Sequence, residues 1–145
     1  MLSASEIRLL TEIGFVAAGR GWLDQARKIF NSLILLRPDR AFPYIGMGLA
    51  LINAGQASEA VALLDRATAV LRNGQPGAAN AALTADGLQD DRSIVTAYYG
   101  IALRFSGRQA DSDRVFRDLS TLPSSDPAGR IARSMLGISP DTENL

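Results

Sequence analysis

The chain has 145 residues, the size of one ordinary domain, and its fifteen basic and fifteen acidic side chains cancel to a net charge of zero. It contains neither cysteine nor histidine, which excludes a disulfide framework, a thiolate metal site, a cysteine nucleophile, and the usual general base and haem anchor. Balanced charge leaves no global field to draw nucleic acid or anionic lipid, and no uncharged apolar stretch reaches membrane-spanning length. With no signal-peptide pattern at Met1–Glu6, the expectation is a cytoplasmic, single-domain protein that is not an enzyme and needs no cofactor.

Alanine and leucine are abundant, and neither an alternating β-branched run nor an Asn-Gly hairpin occurs, so the elements read as helices throughout. Ser3, followed at the right distance by Glu6, forms a capping box that opens a first helix near 4–18. A second helix is expected near 23–37, stopped by Pro38, a third near 42–53 and a fourth near 58–72. Residues 73–91 carry Gly74, Pro76, Gly77 and Gly87 around an alanine-rich middle and read as a loop with one short helix. A fifth helix near 92–105, with Asp90 or Asp91 as its N-cap, and a sixth near 110–121 follow. Asp126 then caps a seventh helix that has Pro127 at its first position and runs to Leu136 before Gly137. Residues 138–145 read as a disordered tail.

The sequence also repeats itself. Gly14 recurs as Gly48, Gly21 as Gly55, Ala26 as Ala60 and Leu36 as Val70, each 34 residues apart. Gly100 and Gly107 continue the series 52 residues after Gly48 and Gly55. Apolar residues accompany these anchors: Leu10, Ile13, Phe30 and Leu33; Tyr44, Met47, Leu64 and Ala67; Tyr99, Leu103, Phe116 and Leu119. The physical reading is a helix–turn–helix unit used three times. Its first glycine admits a close helix crossing, its second ends the first helix in a left-handed residue, and its alanine keeps the second helix tight. In the third copy Ser112 replaces that alanine, which leaves this crossing the least defined.

Position for position, Leu10, Ile13, Gly14, Ala17, Gly21, Ala26, Phe30 and Pro38 resemble a tetratricopeptide repeat. The resemblance implies an all-α solenoid of three such repeats, near 7–40, 41–74 and 93–126, with an insert at 75–92 and a capping helix at 127–136. It also implies that the first helix of each repeat lines a concave groove. The groove residues would be Phe15, Phe42, Ile45, Leu49, Ile52, Ile94, Tyr98, Ile101 and Phe105, with Arg8, Thr11 and Arg104 beside them. Such a wall is oily, since the only amide or charged side chain from Ala41 to Ala54 is Asn53. Lysine is absent from it, which rules out the ring of donors that repeats of this kind need to hold a terminal carboxylate.

An apolar wall must be sheltered. An amphipathic helix or extended apolar segment of a partner protein, the chain's own insert or last helix, and a second copy of the chain are the three coverings open to it. The first makes the protein a non-enzymatic interaction module; the last makes it a self-assembling scaffold or adaptor. Phe42–Ala50 is further similar to the second repeat of the small chaperones of bacterial type III secretion systems, which implies a client helix held until export.

Other candidate sites have plainer explanations. Gly19-Arg20-Gly21 and Gly46-Met47-Gly48 have the look of phosphate cradles, but no strand precedes either. Asp111 with Asp113, and Asp86 with Asp90 and Asp91, read as helix-terminal charges rather than metal ligands. Arg104, Arg108, Arg114 and Arg117, interleaved with aspartates, read as a solvated face, and Trp22 as an anchor of the core at the first turn.

Overall fold

The structure is a computed structural model that describes residues 2–73 and 85–138, and among these residues it is all helical. Its seven helices are α1 (Ala4–Gly19), α2 (Leu23–Leu36), α3 (Phe42–Asn53), α4 (Ala57–Asn73), α5 (Ala85–Phe105), α6 (Gln109–Leu119) and α7 (Pro127–Met135). Packing follows chain order: α3 lies on α1 and α2, α5 on α3 and α4, and α7 on α5 and α6. The caps work as the residue types demand. Ser3 accepts the Glu6 amide at 3.2 Å, and Asp126 accepts the Ala128 amide at 2.9 Å with Pro127 behind it.

Helices α1, α3 and α5 end in the same turn. Gly21, Gly55 and Gly107 have φ of +74°, +78° and +86°, a region that a Cβ makes costly. The residue after each glycine donates back across the turn: Trp22 to Ala17 at 2.9 Å, Gln56 to Leu51 at 2.8 Å and Arg108 to Leu103 at 2.9 Å. Gly55→Ala should therefore lower stability by about 1 kcal/mol. Gly19→Ala should raise it by a few tenths, because a Cβ there meets nothing within 4 Å. Opposite shifts of the two melting temperatures check the pair.

The crossings within each helix pair are also alike. A Cβ on Gly14 would lie 2.8 Å from the Phe30 ring, one on Gly48 3.0 Å from Leu64, and one on Gly100 2.8 Å from Phe116. Phe30, Leu64 and Phe116 are fully buried. The serine in the third crossing does not loosen it. Ser112 is buried, and its hydroxyl donates to the Gly100 carbonyl at 2.8 Å, so the polar atom is satisfied where it crosses.

Four expectations are corrected. Helix α5 begins at Ala85 rather than near 92, and Gly87 lies inside its first turn instead of breaking it. Asp91 does not cap α5. It lies within that helix and serves the start of α3, taking the Arg40 Nε–H at 2.7 Å and the Ala41 amide at 3.1 Å. This bond holds the Arg40 guanidinium above its ordinary pKa. Trp22, expected as an anchor of the core, is about half exposed. Arg104 leaves the solvated face: its guanidinium donates to the Met135 carbonyl at 3.1 Å and to Asp113 at 3.2 Å, and lies 5.3 Å from the Phe116 ring centroid. It ties α5, α6 and α7 together. The remainder of the expected insert, residues 75–84, and the tail from 139 lie outside the described residues.

Candidate protein-interaction site

Helix α3 has almost no polar side chain to turn outward, and the structure buries most of it. Residues 43–48, Ala50 and Leu51 are buried among α1, α2, α4 and α5. Asn53, the exception, donates to the Ala18 carbonyl at the end of α1 at 2.9 Å. The Gly46-Met47-Gly48 segment is explained by packing, since Gly46 faces the Phe30 ring and Gly48 faces Leu64.

The nine expected groove residues do not stand equally open. Ile45 is buried. Phe15 packs edge-on against Phe30, with ring centroids 5.1 Å apart and planes at 74°. Leu49, Ile52, Ile94 and Tyr98 are half-buried against the main core. Ile101 is half-buried in a second cluster with Ile131, Met135 and Leu136, so the chain's own α7 fills that end. Phe105 is 66% exposed. Phe42 is half-buried and borders a groove.

That groove has a volume of about 410 Å³ and lies between α1 and the start of α3. Ala4, Ile7, Arg8 and Thr11 form one side, Phe42 and Arg37 the other, with Glu12 at the rim. Its floor is apolar and its edges carry charge. Arg8 meets Glu12 at 3.4 Å as an exposed pair of little energetic weight. Arg37 meets Asp39 at 3.3 Å. Burial pushes the Asp39 carboxyl up, but the Arg37 hydrogen bond and charge outweigh it and leave the group below its ordinary pKa. Sequence reasoning found Arg8, Thr11 and Phe42 here and missed Ile7 and Arg37.

A second apolar groove, of about 480 Å³, was not foreseen. Leu9, Glu12, Ile13, Val16 and Ala17 of α1 form one wall, and Trp22, Gln25 and Ile29 the other, with Glu12 the one charged residue of the lining. The signal was in the sequence: Leu9, Ile13 and Val16 make a stripe beside the inward Leu10, Gly14 and Ala17. Helix α1 thus has two apolar faces, more than α2 and α3 can cover.

Among the described residues no three acidic side chains come together to hold a metal ion. Asp111 pairs with Arg108 and Arg114, and Asp113 with Arg104. No helix among the described residues is long and apolar enough to cross a membrane. Compared with known proteins, the chain matches no protein-family model, no curated protein and no solved structure.

Proposed function

We propose that the protein is a non-enzymatic interaction module of tetratricopeptide type, and that the groove between α1 and α3 receives an amphipathic helix of a partner. The single observation that carries this reading is the open apolar groove bounded by Ile7 and Phe42, with Arg8, Arg37 and Glu12 at its edges. Arg8, Thr11 and Phe42 hold inner-wall positions in the repeat register. The three matching glycine turns and glycine crossings support the reading of three copies of one unit. The partner's apolar anchor would replace water against Phe42 and Ile7, with a carboxylate facing Arg8 and Arg37. Shelter of about 500 Å² would make roughly 12 kcal/mol of gross transfer energy available, much of it offset by ordering and association. The similarity of Phe42–Ala50 to the type III secretion chaperones makes an export substrate's helix the partner class to test first.

The test is affinity purification from native extract followed by mass spectrometry, with the wild type and Phe42→Asp compared. The variant should keep its helical circular dichroism and lose the partner that the wild type retains. An identical partner set for both proteins contradicts the proposal.

A further inference from the structure

The second groove lies open along α1. On α1, Leu9, Ile13 and Val16 are 57%, 48% and 54% exposed, and Trp22 beside them 51%. The positions 34 residues later, Pro43, Met47 and Ala50, are buried in α3, on which α2 packs. Those 52 residues further on are Val95 and Ala102, buried in α5, and Tyr99, half-buried there, with α4 packed on that helix. Among the described residues the same face is therefore covered by a helix twice and left uncovered on α1. Helices α2 and α3 are joined by a short connection and so run antiparallel.

The charges flanking the stripe select the covering helix. Glu6, Leu9, Ile13, Val16 and Arg20 fall at alternating steps of three and four along α1 and so share one face. An acid stands at one end and a base at the other, with Ile13 midway between them. The Arg20 guanidinium sits 5.3 Å from the Trp22 ring centroid, at the groove's edge. Two α1 helices placed antiparallel about a two-fold axis at Ile13 set Glu6 of each against Arg20 of the other, and Leu9 against Val16. A parallel pair would set like against like. The far end of the molecule offers no alternative, because α7 already lies on α5 and α6. We propose that a second copy of the chain covers this face, in a two-fold dimer through antiparallel α1 helices.

Sedimentation equilibrium of the whole chain over a range of concentrations tests this. The wild type should form a dimer, with emission from Trp22, the only tryptophan, shifting to shorter wavelength as it forms. Ile13→Glu should raise the dimer dissociation constant more than a hundredfold while the circular dichroism stays helical. Glu6→Arg should raise it about tenfold, since two like-charged contacts appear per dimer, and Glu6→Arg with Arg20→Glu should restore it. A monomer at every concentration overturns the proposal, as does a dimer that survives Ile13→Glu. A charge reversal that fails to restore dimerisation overturns the antiparallel arrangement. Since Phe42 lies outside this face, Phe42→Asp should leave the dimer intact, which separates this result from the fate of the α1–α3 groove.

Discussion

Gly46→Ala should destabilise the protein by about 2 kcal/mol or more, although alanine is the better helix former. The gain in helix propensity is worth about 1 kcal/mol. Against it stands the Phe30 ring, into which an alanine Cβ at position 46 would project. That ring has nowhere to go. It is fully buried, with Gly14 on α1 close by and Phe15 edge-on at 5.1 Å. Forcing a methyl group into such a site typically costs about 1–3 kcal/mol and occasionally more; with the ring held on all sides the cost falls at the upper end, about 3 kcal/mol, and about 2 kcal/mol remains after the propensity gain. Phe30→Leu in the same chain should recover part of the loss, because the two changes share one space and their effects will not add. Urea unfolding of the two single variants and the double variant measures all three numbers. Simple additivity would show that the ring and the glycine do not meet.

Asp91→Ala should cost about 2 kcal/mol, the second largest single effect. Its carboxylate satisfies both Arg40 and the Ala41 amide at the start of α3, and it is mostly shielded from water. Truncation strands two donors whose partner lies about fifty residues away in sequence; a buried donor left unsatisfied costs about 1–3 kcal/mol, and since the partly exposed Arg40 guanidinium can turn to water the loss falls near the middle of that range. Asp91→Asn keeps an acceptor and should cost less. Glu59→Ala, which removes an exposed 3.4 Å pair with Arg27, should change stability by under about 0.5 kcal/mol. Equal losses at Asp91 and Glu59 would mean that burial does not decide the strength of these pairs.

These two residues also show what a sequence can and cannot disclose. The glycines that matter through backbone geometry were legible, since Gly21, Gly55 and Gly107 each recur in register and each adopts positive φ. Gly46 was not, because its register equivalents are Glu12 and Tyr98. The need for a glycine there comes from a neighbouring helix, which periodicity within one helix does not encode. Asp91 failed for a related reason. An aspartate near an expected helix start reads as a local cap, and nothing nearby reveals that it caps a different helix.

The apolar faces divide along the same line. The repeat spacing puts Phe42, Arg8 and Thr11 on the inner wall that the resemblance implies, and in the structure all three border one groove. The same spacing put Ile45 there, yet α3 is packed from so many sides that Ile45 is buried. A charge at that position would report folding rather than binding. A large aromatic at a turn reads as a core anchor, yet Trp22 is half exposed, because among the described residues no helix lies over the face of α1 that carries Leu9, Ile13 and Val16.

The most direct measurement is site-specific photocrosslinking in native cells, with a photoreactive phenylalanine analogue placed at position 42 or at the exposed Leu35 on α2. A discrete adduct to a partner protein from position 42, absent from position 35, is the outcome expected if the α1–α3 groove holds a client helix. No adduct from position 42, or the same adducts from both positions, would contradict it.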